Sequence, residues 1–209
     1  MKCYFCDTLG KAWITSLALV MKQGMIIMDD DERLKEYRNL CLTIETVNED
    51  DLILNKYADA DRIVLMKKKY TVCGLVGNYN RDYGSDLYNN NGVNQIEWIA
   101  ERIKKKLETK SATISLHHAG ENMLSCLSLL DFKLRDNKLY MNAVYRSQNV
   151  FASQPGNIIA LKKIQSDIAQ KLSIRLGSIE LIILSAHIYE KDFMNVNSIL
   201  SNFNTGDYL

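Results

Sequence analysis

The stretch from Cys126 to Tyr189 leaves few folds open. Two strand-like runs, residues 128–134 and 138–145, flank Arg135-Asp136-Asn137-Lys138, a hairpin turn by composition. Ile158, Leu161, Ile164, Ile168 and Leu172 then mark one face of an amphipathic helix, with Gly177 shortly past its end. Residues 179–186 follow as an apolar run of strand length, interrupted by Glu180, and read as a fully buried strand. A hairpin, a helix and a further strand pack together when the strands share a sheet that the helix covers. The expectation is an α/β chain, α+β in detail: a mixed sheet flanked by helices.

The rest of the chain supplies compatible parts. Residues 8–23 place Leu9, Ala12, Trp13, Leu17 and Val20 near helical spacing, with Thr8 able to cap the start and Gly24 at the end. Residues 37–45 alternate as a half-buried strand does, with Leu40, Leu42 and Ile44 on one face. The acidic run 29–32 and Arg33-Leu34-Lys35-Glu36 after it read as a solvated loop, and residues 46–61 as a loop with one helical turn. Residues 79–92 are rich in turn formers and aromatics, the kind of loop that carries function. Val93, Ile96, Ala100, Ile103 and Leu107 define one face of a helix over 93–107, whose basic end suits the helix dipole. Residues 111–116 form another strand, and the tail 190–209 starts acidic and ends in turn formers. No linker or repeat divides the chain, so residues 1–209 are expected to form a single domain.

Composition excludes several functions. With 26 basic against 25 acidic residues, no overall field draws the chain to nucleic acid or to a membrane surface. No apolar run approaches the roughly 20 residues of a membrane span. Five cysteines, an odd number without a secretory leader, point to free thiols and a cytoplasmic setting. Cys3-x-x-Cys6 lacks the second ligand pair of a zinc site and reads as two small apolar residues. Lys67-Lys68-Lys69, without interleaved aromatics, reads as a solvated face. His117 and His118, adjacent on a strand, point to opposite faces and do not share a metal; none is expected.

Polar residues that packing does not require sit at the ends of these elements. Cys126 starts the hairpin: buried cysteines are commonly inert, but a thiol beside an arginine becomes a nucleophile. Arg146-Ser147 ends the second strand with a planar fork and a hydroxyl, suited to a phosphate or to a structural salt bridge. Asn157 can cap the helix it precedes or, through an amide that donates and accepts, match O4 and N3–H of uracil. His187 and Tyr189, two apart on a strand, face one side, either as a satisfied pair or as partners of a ribose hydroxyl.

The order Cys126, Arg146-Ser147, Pro155-x-Asn157, His187-x-Tyr189 resembles the thymidylate synthase and pyrimidine hydroxymethylase family, and its spacing matches with no gap. Leu127, where most of the family has His, is similar to the shorter archaeal-type and nucleotide-hydroxymethylating branches. The resemblance implies a homodimer packed sheet to sheet. It implies C5 methylation or hydroxymethylation of a pyrimidine nucleotide monophosphate with 5,10-methylenetetrahydrofolate, through a Cys126 adduct at C6. It further implies phosphate contacts from Arg146 and Ser147, base contacts from Asn157, sugar contacts from His187 and Tyr189, and folate contacts from Asn149 and Tyr83. Tyr83-Gly84 is similar to a Tyr-Gly segment of the family. Asn157 leans towards uracil, because cytosine-specific relatives tend to place Asp there.

Three departures accompany the resemblance. Ala112 and Thr113 occupy the positions of an arginine pair that reaches the partner's phosphate in family dimers, which leaves Arg33 or Lys110 to help. Asn149 replaces an aspartate that contacts the pterin. The chain ends soon after Tyr189, without the long segment that closes over folate in the larger synthases. These departures sustain an alternative, a catalytically silent pyrimidine nucleotide-binding homologue.

Overall fold

The computed structural model describes residues 2–29, 31–72, 74, 82–117, 120 and 124–208, and eight strands among them form one mixed sheet. The chain opens with β1 (Cys3–Thr8) and α1 (Leu9–Gln23), and Thr8 caps that helix by accepting from the Lys11 amide at 3.2 Å. β2 (Met25–Asp29) and β3 (Glu32–Thr46) form a hairpin, followed by α2 (Leu52–Tyr57), α3 (Ala60–Lys68), α4 (Tyr83–Tyr88) and α5 (Gln95–Lys105). β4 (Thr113–Ser115), β5 (Leu127–Arg135), β6 (Lys138–Tyr145) and β7 (Gln148–Asn149) come next. α6 (Gln154–Leu172), β8 (Arg175–Tyr189) and α7 (Phe193–Leu200) complete the order. The sheet runs β1-β3-β8-β6-β5-β4, with β2 paired to β3 and β7 to β8. β8 thus lies in the middle, antiparallel to β3 and parallel to β6.

Helix α6 lies on β6 and β8, α1 lies on β1, β3 and β8, and α3 and α5 pack against α6. The expected apolar face of α6 is the one buried: Ile158, Leu161, Ile164 and Ile168 share a core with Phe132, Met141, Ala143, Leu181 and Ile183 of the sheet. Burying each such aliphatic side chain contributes about 1.5–3 kcal/mol. Gln165 adds a polar stitch, donating to the Leu139 carbonyl at 2.7 Å and so fixing α6 on β6. Asp136 and Asn137, at φ 49° and 58°, make the left-handed hairpin turn between β5 and β6 that these residue types favour.

Several elements depart from the sequence expectation. β8 is not buried on both faces: Leu184 is 45 % exposed and Ile182 half-buried, because its alternate side chains point away from the helical layer. Asp29 and residues 31–36 belong to the β2–β3 hairpin, not a loop, with Asp31 turning at φ 65°. Residues 46–61 contain α2 and the start of α3, capped by the carboxylates of Asp51 and Asp59. Cys3 and Cys41 are register partners on β1 and β3, with Cα atoms 4.5 Å apart, and are joined in a disulfide. That corrects the expectation of free thiols; Cys6 and Cys126 are free, and Cys73 lies outside the described residues, as do residues 79–81 and His118. Among the described residues no helix is long and apolar enough to cross a membrane.

Candidate active site

Topology brings the singled-out residues to one edge of the sheet. β6 and β8 are parallel and β5 runs against β6, so the start of β5 lies beside the ends of β6 and β8. That edge holds Cys126, Arg146-Ser147 and His187-x-Tyr189, and α6 starts there with Asn157 in its first turns. Ligands of sheet-and-helix folds collect at such strand ends. A cavity of about 1030 Å³ opens at this edge, and Cys126, Arg146, Ser147, Asn149, Asn157, His187, Tyr189 and Tyr83 all line it.

Cys126 is half-buried, and its carbonyl accepts from the Arg146 amide at 2.8 Å. The Arg146 side chain reaches back to the same segment, donating from Nη2 to the Leu124 carbonyl at 2.8 Å and from Nε to the Ser125 carbonyl at 3.2 Å. His117 Nε2 lies 2.9 Å from that Ser125 carbonyl, a contact that requires the Nε2–H tautomer. The residue before the thiol is thereby held from two sides. Behind the thiol, the Tyr70 and Tyr145 hydroxyls are 2.6 Å apart, and burial pushes both phenols up from their ordinary range.

Asn157 does not cap α6, whose N-cap is Ser153; it sits inside the helix, 5 % exposed, with Oδ1 buried and without a partner. His187 Nδ1 lies 3.3 Å from Ser147 Oγ, and the ring packs edge-on against Tyr189. Burial holds the His187 imidazolium below its usual range, with Arg146 acting the same way; the Ser185 backbone, Asp29 and Glu36 oppose it. Asn149 spends its Oδ1 on a turn, accepting from the Ala152 amide at 3.0 Å. Arg33 binds Glu190 at 2.5 Å, Thr113 donates to Asp131 at 2.6 Å, and Ala112 is fully buried; none of the three lines the cavity. Lys110 lines a separate cleft beside Trp98 and Arg102.

Sequence reasoning missed the contribution of α3. Arg62, Met66 and the following Lys69 line the cavity, spaced by four and three residues on one helical face. Lys69 is 6 % exposed, not a solvated lysine, and its amine sits 4.8 Å from the centroid of the Tyr83 ring. Two glycines fix this arrangement. A Cβ on Gly156 would lie 2.6 Å from Met66 Cβ and 2.8 Å from the Ile63 carbonyl, so only glycine lets α3 approach α6 this closely. A Cβ on Gly84 would lie 2.1 Å from the Thr71 backbone, where the Tyr83 and Gly84 amides clamp the Lys69 carbonyl at 2.7 and 3.1 Å. Gln148 was also missed: it is 3 % exposed, lines the cavity, and leaves both ends of its amide unbonded. The carboxylates in the described lining belong to Asp29, Asp59 and Asp192.

Two archaeal proteins, each named "Putative thymidylate synthase", resemble the chain from end to end. The Methanosarcina mazei protein is 28% identical over 202 residues, covering 94% of this chain and 93% of its own length. The Methanosarcina barkeri protein is 27% identical over 203 residues, covering 94% of each. The thymidylate synthase family matches residues 35–205, which takes in β3 from Lys35 onward and strands β4 to β8, together with the strand ends at the cavity. The chain belongs to the thymidylate synthase family.

Proposed function

We propose that the protein transfers a one-carbon unit to C5 of a pyrimidine nucleotide monophosphate, with Cys126 bonding covalently to C6. The observation that carries this reading is the convergence on one cavity of a free thiol, a guanidinium–hydroxyl pair and a carboxamide whose oxygen lacks a partner. Addition of the Cys126 thiolate to C6 pushes electrons towards C5 and O4, which makes C5 nucleophilic. Arg146 and Ser147 hold the phosphate. Rotation of the Asn157 amide, a soft torsion, gives Oδ1 the N3–H of uracil while Nδ2 donates to O4. A cytosine edge, with N4–H₂ and an unprotonated N3, mismatches both. His187, kept neutral by burial, and Tyr189 hold the sugar.

The cavity also suits 5,10-methylenetetrahydrofolate. Its volume of about 1030 Å³ reaches the upper end of single-ligand pockets, and Trp13, Tyr57, Tyr83 and Phe151 give it an aromatic wall. Tyr57, Tyr83 and the free end of the Asn149 amide would hold the folate, which when bound supplies the one-carbon unit received at C5. The sheet face away from the helices carries Leu129, Val144 and Ile182 side by side in register, flanked by exposed Phe5 and Leu184. We propose that this face packs on its copy in a homodimer, which sedimentation tests.

The experiment for the reaction is release of tritium from C5 of labelled UMP, dUMP, CMP and dCMP with methylenetetrahydrofolate. Cys126→Ser should abolish release and leave nucleotide affinity largely intact; release at the wild-type rate in the variant would defeat the covalent mechanism. Tight nucleotide binding by the wild type without release from any of the four would instead favour a catalytically silent homologue, the reading supported by the engaged Oδ1 of Asn149.

A further inference from the structure

We infer that the cleft beside the C-terminal end of α5 is a second binding site, which takes the base and phosphate chain of a nucleoside triphosphate. It stands apart from the one-carbon reading, because no residue lines both this cleft and the active-site cavity.

The cleft has a volume of about 540 Å³, within the range of single-ligand pockets, and lies between α5 and the chain leading into β4. Arg102, Lys105, Lys106 and Lys110 line it, and among the described lining residues Glu101 is the only carboxylate. Glu101 is already matched by Lys104, 4.0 Å away and outside the lining. Cations at the end of a helix suit its dipole, which by itself accounts for a basic solvated face. It does not account for the other walls. Trp98 is 42 % exposed even with the Arg102 guanidinium 5.0 Å from its ring centroid. A lone exposed indole is ordinary on a protein surface; in the wall of a basic cleft it supplies the flat face on which a base stacks.

Arg102 is ordered in advance. Its Nε donates to the Ser111 carbonyl at 2.7 Å and its Nη2 to Ser111 Oγ at 2.9 Å. Ser111 is held in turn, its amide donating to Thr109 Oγ1 at 3.2 Å, while the Thr109 amide donates to the Lys106 carbonyl at 3.0 Å. The loop that closes the cleft is thus tied to the helix end, and an arginine fixed beforehand loses little freedom on binding. Nη1 of Arg102 is left for a phosphate oxygen, and Lys105, Lys106 and Lys110, all exposed, can follow a chain of phosphates. A single phosphate would meet only part of this set, and an uncharged nucleoside only the indole. A strand of nucleic acid needs successive stacking platforms along a groove, whereas this cleft has one aromatic ring and cations confined to residues 102–110.

The test is titration of the full chain with ATP and UTP, read by calorimetry and by tryptophan fluorescence, with adenosine, inorganic triphosphate and a single-stranded oligonucleotide as comparisons. Trp13 is buried, so Trp98 carries the solvent-sensitive emission. At least one of the two triphosphates should bind saturably and quench that emission, and inorganic triphosphate should bind more weakly without quenching. Lys105→Gln combined with Lys106→Gln changes two exposed side chains and should weaken binding about tenfold or more, with tritium release from labelled UMP unchanged. Trp98→Ala should weaken the nucleotide and leave inorganic triphosphate binding as it was. No saturable binding of either nucleotide overturns the inference. So do equal affinities for nucleotide and inorganic triphosphate, tighter binding of the oligonucleotide, or an affinity that the lysine substitutions leave unchanged.

Discussion

Replacing Asn157 with leucine, similar in size, should stabilise the ligand-free protein and remove base recognition at once. In the structure the side chain is 5 % exposed and Oδ1 meets no donor. A buried acceptor left unmet costs about 1–3 kcal/mol, and leucine removes that cost. The helix loses no cap, because Ser153 occupies that position and the Asn157 amide bond to the Ser153 carbonyl is backbone. For a chain of this length each kcal/mol moves Tm by about 2–4 °C, so a rise of several degrees is expected. Helix propensity alone accounts for a few tenths of a kcal/mol, about 1 °C. The same change deletes the hydrogen bonds to the base edge, worth roughly 1–3 kcal/mol, and UMP affinity should fall roughly 5- to 150-fold. Thermal denaturation and calorimetric titration with UMP and CMP read both effects, and Asn157→Asp should turn the preference towards cytosine. A leucine variant that melts lower than the wild type and binds UMP equally well would refute the reasoning.

Two further outcomes follow from the same site. The wild type should prefer UMP over uridine only modestly, because Ala112 and Thr113 stand where an arginine pair is expected; Arg146→Ala should cut that preference sharply, since charge-assisted bonds contribute about 1.5–3 kcal/mol each. A strong preference unchanged by the mutation, read by calorimetry with both ligands, would put the phosphate elsewhere. For His187, burial lowers the folded value below the ordinary 6.5, so in the window just below 6.5 the unfolded chain binds a proton that the folded chain does not. Stability should therefore rise with pH through that window and level off above it. His187→Gln should flatten the slope of Tm between about pH 5 and 7, and an identical slope would count against the assignment.

What was legible in the sequence followed where packing dictated it. The β5–β6 hairpin could be read because Asp136 and Asn137 tolerate positive φ, and α6 because its sheet-facing side is uniformly aliphatic. α3 was hard to read because its polar and apolar positions are mixed: Val64 is 66 % exposed while Arg62 and the following Lys69 line the cavity. Its packed residues, Ile63 and Met66, are interleaved with cations and an exposed valine, which leaves only a short apolar stripe to detect. β2 failed for a related reason, since Met25, Ile26 and Met28 are exposed and the strand has no buried face. Among the residues that line the cavity, Cys126, Arg146, Asn157 and His187 were visible from type and order. Lys69 was hidden in a basic triplet, and only its neighbour Tyr83-Gly84 marked the place where the chain returns to clamp it.

Among the described residues, four of the seven buried side-chain polar atoms without a partner belong to residues that line the cavity; the other three are on Gln154 and Gln165 of α6. Arg62 Nε, both ends of the Gln148 amide and Asn157 Oδ1 are all buried without partners, and all belong to residues that line the cavity. Each such atom costs about 1–3 kcal/mol, a substantial fraction of a domain's net stability. A chain that wanted only a folded sheet would place apolar side chains at these positions, as it does a few residues away at Val150 and Ile158, both fully buried. The polar set is offset by the apolar core between α6 and the sheet, which continues up to this edge at Tyr145, Val150 and Ile158. On the proposed reading, a nucleotide that draws the Asn157 and Gln148 amides into contact with its base edge would recover several of these costs on binding. Recognition on that reading would depend less on new apolar contact than on completing hydrogen bonds that the fold leaves open.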